Sequence, residues 1–501
     1  MNPSKWLLLT TLLLPSINAN SKPAPETESA SFWLETGQQM LRQSEQLTAN
    51  HQRARNVILF IGDGMGISTI TAARILEGQS LIDNRGGEEH ALSFELLPYL
   101  ALSKTYSVNQ QTPDSAPTMT AIISGVKTND GLISVDSSIR RQEKSAAVIR
   151  QHQLKTLIEQ AEQHGLSSGV VSTARITHAT PAACYAHSPE RDWESDAQLP
   201  ADTDIKDIAR QLVEFELGNG LEVALGGGRS MFLPNTTPDP EDQGKFGNRK
   251  DGVDLTEKWL NTYPHAAYVY NQSGFDAIDV RNTEHLLGLF ERSHMEYEHD
   301  RSNDSGGEPS LAAMTAKAIA ILSKNRKGYV LVVEAGRIDQ AHHAGNAFRA
   351  LTDTIALSDA VRRARQLTSS QNTLLIVTAD HSHTFTIAGY PERGNPILGL
   401  VKETGKTGFA TDKNGLPYTT LGYANGPGHR GNGARQDLSL THTAHPDFLQ
   451  EAAIPLDSET HAAEDVAIFA DGPQAHLLHG VQEQSYIYQV MAKALGFKAG
   501  Q

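Results

Sequence analysis

The chain has 501 residues, 39% of them hydrophobic, enough to bury a large core; that length allows two or three domains, and one large α/β domain with insertions fits equally well. A formal charge of −15 with no basic cluster excludes non-specific binding to nucleic acid or anionic lipid, both of which carry the same sign. The single cysteine, Cys184, excludes an internal disulfide, so packing alone must hold the fold even in an oxidising compartment.

In chain order, residues 1–19 carry Lys5, an apolar stretch from Trp6 to Leu14, and small or polar residues up to Ala19. This is the shape of a secretory signal cut near Ala19, which predicts a periplasmic or secreted protein; an uncleaved amphiphilic tail is the alternative. The stretch is far shorter than the ~20 residues a membrane span needs, and no later segment reaches that length, so no membrane partner is expected. Residues 20–55 read as an N-terminal arm in which SFWLETGQQMLRQSEQL, Ser31 to Leu47, predicts an amphipathic helix that packs on the domain or on a neighbouring subunit.

From Asn56 to about Ala388, strand-like and helix-like segments alternate in the βα manner. NVILFIG, YVLVVEA and NTLLIVTA are near-continuous runs of the kind found in parallel strands covered on both faces, SSGVVSTA gives a further strand near Val170, and LAAMTAKAIAILSK predicts a helix. Residues 389–445 differ, with turns at PERGNP and ANGPGHRGNG and no long apolar period, and are expected to form an inserted surface subdomain. DVAIFA and QSYIYQVMAKAL then supply a last strand and a closing helix. The expected fold is α/β: a large, mostly parallel sheet sandwiched by helices, built from residues 56–388 and 446–501.

Acidic residues and histidines stand at the ends of the apolar runs: Asp63, then Glu334, Asp339 and His343, then Asp380 and His381. Ligands of open α/β sheets gather at the carboxyl ends of the strands, so these side chains should form one cluster, and carboxylates mixed with imidazoles suit zinc and magnesium. Asp339 and His343, four residues apart, share a face if the chain turns helical after Ile338, whereas His342 points roughly 100° away. Asp380 and His381 can turn to one metal at a bent strand end; a capping Asp followed by a buried His is the competing reading. Ser115 opens a predicted helix with Pro117 in its first turn, where unpaired N–H groups and the positive helix end favour an alkoxide or a phosphate. Taken on its own, an ordinary N-cap serine beside a capping Asp114 is the commoner reading, because Ser is among the most frequent caps. HATPAACYAHSPER contains Thr180 and Arg191, whose planar fork can hold two phosphate oxygens. His461 sits just before a strand, where a lone histidine is usually structural.

Taken in order, GDGMG, DSAPTMTA, ATPAA followed by an arginine, E…IDxxxH, TADHSH and ETHAAEDV resemble the alkaline phosphatase family, from about Asn56 to the C-terminus. The insertion containing PYTTLGYANGPG is similar to the crown loops of the animal-like members. The resemblance implies hydrolysis of phosphate monoesters through a phosphoserine at Ser115, with Arg191 as the phosphate clamp, in a homodimer. It implies one zinc on Asp339, His343 and His461, a second on Asp63, Asp380 and His381, and a magnesium on Asp63, Thr180 and Glu334. His178 stands where family members carry Asp or His, which leaves the third ion open, and Gln340 stands where some carry a basic residue, which implies looser phosphate retention. FERSHMEYE, Phe290 to Glu298, is similar to the peripheral calcium site of animal-like members; Glu291 matches, the later acidic ligand falls near Gly306, and an acidic surface loop is the alternative.

Two rivals follow from the same residues. One keeps the metals and changes the substrate to phosphodiesters or sulfate esters; Arg191 favours the monoester, which presents one more charged oxygen. The other is an exported protein that sequesters phosphate or metal without catalysis, in which Ser115 would be dispensable.

Overall fold

A computed structural model describes residues 28–81, 86–201, 203–429 and 435–497, so the expected signal segment, residues 1–19, lies outside the described residues. The chain divides into a unit ending at Gln46 and a second from Leu47 onward. The described part of the first is one helix, Ala30–Glu45, whose N-cap Ser29 accepts a hydrogen bond from the Phe32 backbone.

In the second unit the strands are β1 (Asn56–Gly62), β2 (Tyr99–Lys104), β3 (Ser167–Arg175), β4 (Val223–Gly227), β5 (Ala266–Val269), β6 (His285–Leu289), β7 (Tyr329–Ala335), β8 (Thr373–Ala379), β9 (Ser382–His383), β10 (Phe385–Ile387), β11 (Leu421–Gly426), β12 (Ala452–Pro455), β13 (His461–Ala462), β14 (Val466–Asp471) and β15 (Gly480–Glu483). Ten of them form one sheet in the order β15-β2-β14-β8-β1-β7-β3-β4-β6-β5. Only β14 runs against its neighbours, β2 and β8. The continuous apolar runs explain the centre: every residue of β7 and β8 is buried, as is all of β1 except Asn56.

Alternation along these strands feeds two layers. Val57, Leu59 and Ile61 pack with Val330, Val332, Met119, Ile122 and Met491 on one side, while Ile58 and Phe60 pack with Leu331, Val333, Met314 and Leu357 on the other. Each such side chain contributes roughly 1.5–3 kcal/mol when fully buried.

The three central strands end together. Gly62 pairs with Ala335 of β7 and with Ala379 of β8, so Asp63, Gly336 and Asp380 all lie one residue beyond a single row of the sheet. A second, three-stranded sheet, β10-β11-β12, runs from Phe385 to Pro455 and so begins before and ends after the glycine-rich stretch 389–445. The two outer strands, β10 and β12, lie outside the turn-rich stretch, and the middle strand β11, Leu421–Gly426, lies within it. β9 and β13 pair antiparallel, setting His461 opposite His383.

Candidate metal centre

At the carboxyl end of β1 the chain must leave the sheet and enter the helix Ile67–Leu81 within a few residues. Gly64 makes this turn at φ +68, and a Cβ there would meet the His383 ring at 2.4 Å, so only glycine fits. The turn aims Asp63, fully buried, into the centre. Asp380, one residue past β8, accepts hydrogen bonds at Oδ1 from the Gly64 and His381 backbones, at 3.0 and 2.9 Å. His381 Nε2 lies 3.3 Å from Asp380 Oδ2 and 3.5 Å from Asp63 Oδ1. Asp63, Asp380 and His381 thus offer three ligand atoms to one point.

After β7 the chain turns into the helix Arg337–His343, as the four-residue spacing predicts, and Asp339 and His343 share its face. His343 Nε2 and His461 Nε2 each lie 3.3 Å from Asp339 Oδ1. The outer nitrogens are held by carbonyls: His343 Nδ1 by Glu459 O at 2.6 Å and His461 Nδ1 by Pro113 O at 2.8 Å. Both rings therefore turn a free Nε2 inward. His381 stacks on His461 at 3.6 Å between centroids, which places the two ligand groups side by side.

Ser115 is the first residue of the helix Ser115–Ser124 and is buried beside Asp63 and His381. Its Oγ lies 3.1 Å from His381 Nε2 and 3.4 Å from Asp63 Oδ1. Asp114 occupies the N-cap position yet makes no side-chain cap bond. Its carboxylate instead takes Nη1 of Arg191, whose Nη2 lies 2.9 Å from His178 Nε2. The guanidinium is thereby fixed at the helix N-terminus, and each Nη keeps a second hydrogen for an anion.

Four polar atoms of the neighbouring group are buried without a hydrogen-bond partner: Asp63 Oδ2, Thr180 Oγ1, Glu334 Oε1 and His178 Nδ1. Such atoms are costly unless a cation satisfies them, and the mix of hydroxyl, carboxylate and imidazole is one that divalent ions accept. Asp63, His178 and Glu334 also place ligand atoms within reach of a common point. Burial, with Asp380, Asp339 and Glu334 close by, pushes the Asp63 carboxyl well above its ordinary range, and burial lifts Glu334 to about 7. Burial also depresses His381 to about 3, leaving it a neutral donor. Asp63 and Glu334 thus resist ionisation beside a neutral His381, which favours positive charge at this part of the site, whereas Asp339 is held well below its ordinary range with His343 and His383 beside it.

The structure therefore gathers Asp63, Ser115, Thr180, Arg191, Glu334, Asp339, His343, Asp380, His381 and His461 at one sheet edge. His342 turns away, as the helical spacing predicts, and bridges Thr69 Oγ1 and Tyr423 Oη at 3.0 and 2.7 Å. Two contributors escape a reading of the sequence. His383, two residues past His381, reaches Asp339 Oδ1 at 2.8 Å, and Glu459 meets the other face of the same ring. The repetition of histidine in TADHSH and the acid in ETH are the signals available for them.

A separate acidic group lies apart from this centre. Glu241, Glu291 and Asp304 bring carboxylate oxygens within 4.8 Å of one another, and Glu241 Oε1 and Asp304 Oδ2 are buried without partners. The acidic partner of Glu291 is Asp304, two residues before Gly306, and Glu241 joins from a distant loop that sequence spacing does not connect. Arg229 is buried and holds Asp239 and Glu241 at 2.8 and 2.9 Å. Burial and the neighbouring acids push Glu291 up to about 8.

The sequence profile of the alkaline phosphatase family matches residues 54–497. The tissue-nonspecific alkaline phosphatase of Gallus gallus is 45% identical over 497 residues, covering 97% of this chain and 93% of that protein. The chain belongs to the alkaline phosphatase family. The human tissue-nonspecific enzyme is 42% identical over 486 residues, covering 95% of this chain and 90% of its own. Among solved structures, the Thermus thermophilus alkaline phosphatase aligns with a TM-score of 0.65 at 24% identity, over 91% of this chain and 94% of its own. The alkaline phosphatase of the Antarctic bacterium TAB5 gives 0.60 at 22%, over 89% and 99%. These two establish the shared fold, a large and mostly parallel sheet flanked by helices.

Proposed function

We propose that this alkaline phosphatase hydrolyses phosphate monoesters by transferring the phosphoryl group to Ser115. The observation that carries this reading is Ser115 Oγ, 3.1 Å from His381 Nε2 and 3.4 Å from Asp63 Oδ1, beside a guanidinium held by Asp114 and His178. Zinc ions on Asp339, His343 and His461 and on Asp63, Asp380 and His381 would supply Lewis acidity, and a magnesium on Asp63, Thr180 and Glu334 further positive charge. The family is metal-dependent; the zinc and magnesium assignment is supported here by the approach of His343 and His461 to Asp339, by the convergence of Asp63, Asp380 and His381, and by the orphaned oxygens of the third group. His178 beside that group makes it open to an ion other than magnesium.

Arg191 binds two non-bridging phosphate oxygens with the hydrogens its tethers leave free. Ser115 Oγ loses its proton and attacks phosphorus in line. The bond to the alcohol oxygen breaks with its electron pair, and the alcohol leaves with a proton. The helix N-terminus at Ser115 favours the anion that accumulates. Water then attacks the phosphoserine, inorganic phosphate departs, and the Ser115 hydroxyl is restored. Gln340 offers a neutral amide, its Oε1 taken by Arg337 at 3.1 Å, which supports a looser hold on phosphate than a basic residue would give.

The Glu241, Glu291 and Asp304 group is our candidate for a peripheral calcium. A periplasmic or secreted location rests on the sequence pattern of residues 1–19. A homodimer is supported by the exposed apolar residues Leu100, Tyr106, Val108 and Val481, on or just after β2 and on β15.

The test compares initial rates on a nitrophenyl phosphate monoester and the matching diester, with metal analysis before and after chelation. Faster monoester turnover that is lost on chelation and restored by zinc and magnesium is expected; faster diester turnover would assign the site to a different ester.

A further inference from the structure

Glu459 is only 1% exposed and stands on the short segment between β12 and β13, outside both ligand groups. Its backbone and side chain nevertheless converge on one of them. The carbonyl accepts from His343 Nδ1 at 2.6 Å, and the backbone N–H donates to His343 O at 2.9 Å. The carboxylate Oε2 lies 2.5 Å from His383 Nδ1, and His383 Nε2 lies 2.8 Å from Asp339 Oδ1. Oε1 accepts from both the backbone N–H and the hydroxyl of Thr384 at 2.7 Å, which fixes the carboxylate from behind. Two residues further on, His461 pairs in register with His383 across β13 and β9.

We infer that Glu459 is a positioning residue that sets the orientation of Asp339, His343 and His461 before an ion arrives. Each of the three has a different tie to it: a carbonyl for His343, a relay through His383 for Asp339, and strand register for His461. The His383 ring has no room to drift, for the Gly64 backbone lies against it on one side and the His342 ring stacks on it at 4.9 Å between centroids. A ligand whose outer hydrogen bond is fixed loses less rotamer freedom on binding, and outer partners of this kind change metal affinity by about ten- to a hundredfold when removed. Glu459 therefore acts on the ion of this group and leaves the ion of Asp63, Asp380 and His381 untouched.

The inference rests on reading Asp339, His343 and His461 as ligands of one zinc. In Glu459→Gln the amide nitrogen cannot accept, so either His383 or Thr384 loses its acceptor while the side-chain volume is kept. The full chain is stripped of metal, titrated with zinc against a chromophoric chelator, and titrated separately with cobalt, whose visible spectrum reports ligand geometry. The wild type should show two zinc constants. Glu459→Gln should weaken one of them by about ten- to a hundredfold, shift the cobalt spectrum of that step, and leave the other constant within about twofold. His383→Gln should weaken the same constant by less, because the carbonyl tie to His343 survives, and it carries the test if Glu459→Gln does not fold in the stripped state. Two unchanged constants in either folded variant overturn the positioning role while the ligand reading stands. A wild type that binds no zinc at these residues overturns both.

Discussion

Ser115 and Arg191 divide the chemistry at the scale of single residues. Ser115→Ala removes the hydroxyl that faces Asp63 and His381, and monoester kcat should fall by about a thousandfold or more in initial-rate assays, the scale seen when a nucleophile is deleted. Undiminished turnover would instead indicate direct attack by water, or a protein whose role is sequestration. Arg191→Ala leaves Asp114 without its partner and the phosphate without its fork. Inhibition by inorganic phosphate should then weaken by about thirtyfold, near 2 kcal/mol for a charge-assisted contact. Most of the site was legible at this scale because strands end where sheets bind ligands, so acids and histidines beyond Gly62, Ala335 and Ala379 had to meet. The Asp114 to Arg191 pair was not legible, because a capping carboxylate and an ion-paired one look alike until the chain between positions 114 and 191 is folded.

Between elements, the bond chain Thr69, His342, Tyr423 ties the helix Ile67–Leu81 to the helix Arg337–His343 and to β11 of the smaller sheet. Tyr423→Phe keeps the packing against Phe385 but strips His342 Nδ1 of its partner in a fully buried place. A loss of about 1–3 kcal/mol is expected, read as a lower midpoint in denaturant, with a smaller effect on activity since His342 faces away from the ligand groups. The apolar runs marked β1, β7, β8 and β14, because full burial demands uninterrupted Val, Ile and Leu, whereas β15, which follows β14 as the last strand, carries a single apolar side chain, Val481, and shows no such run. Short strands such as β9 and β13 carry no such pattern: each has two residues, and their pairing is set by tertiary packing rather than by propensity.

For the whole molecule, two effects on stability should separate cleanly. Removing the metals leaves the buried acids uncompensated and abolishes the mass-action term, about 4 kcal/mol for an ion present at a thousandfold its dissociation constant. Calorimetry should show a lower Tm after chelation and recovery with zinc and magnesium. The other effect sits at the opposite end of the strands, where Glu162 faces Glu222 near the start of β3, with Ser168 bonding both. Burial and Glu222 raise Glu162 from 4.5 to about 9, so the folded chain keeps a proton that the unfolded chain releases near the ordinary value. This contribution to stability is complete below about pH 4.5 and is lost as pH rises toward about 9. Glu162→Gln should flatten that part of the Tm against pH curve and raise Tm at alkaline pH; an unaltered curve would show the proton to be shared elsewhere.

β14 is threaded late into the middle of the sheet. Ile468 pairs with Ala101 on one flank and Thr378 on the other, so β2 and β8 have no common partner until a segment more than eighty residues beyond β8 has been made. Until it is made β2 has no partner in this sheet at all, since its other neighbour, β15, comes later still, and β8 is left as an open edge. His461 lies in β13, just ahead of β14, so the metal centre and this junction of the sheet both wait for the near-complete polypeptide.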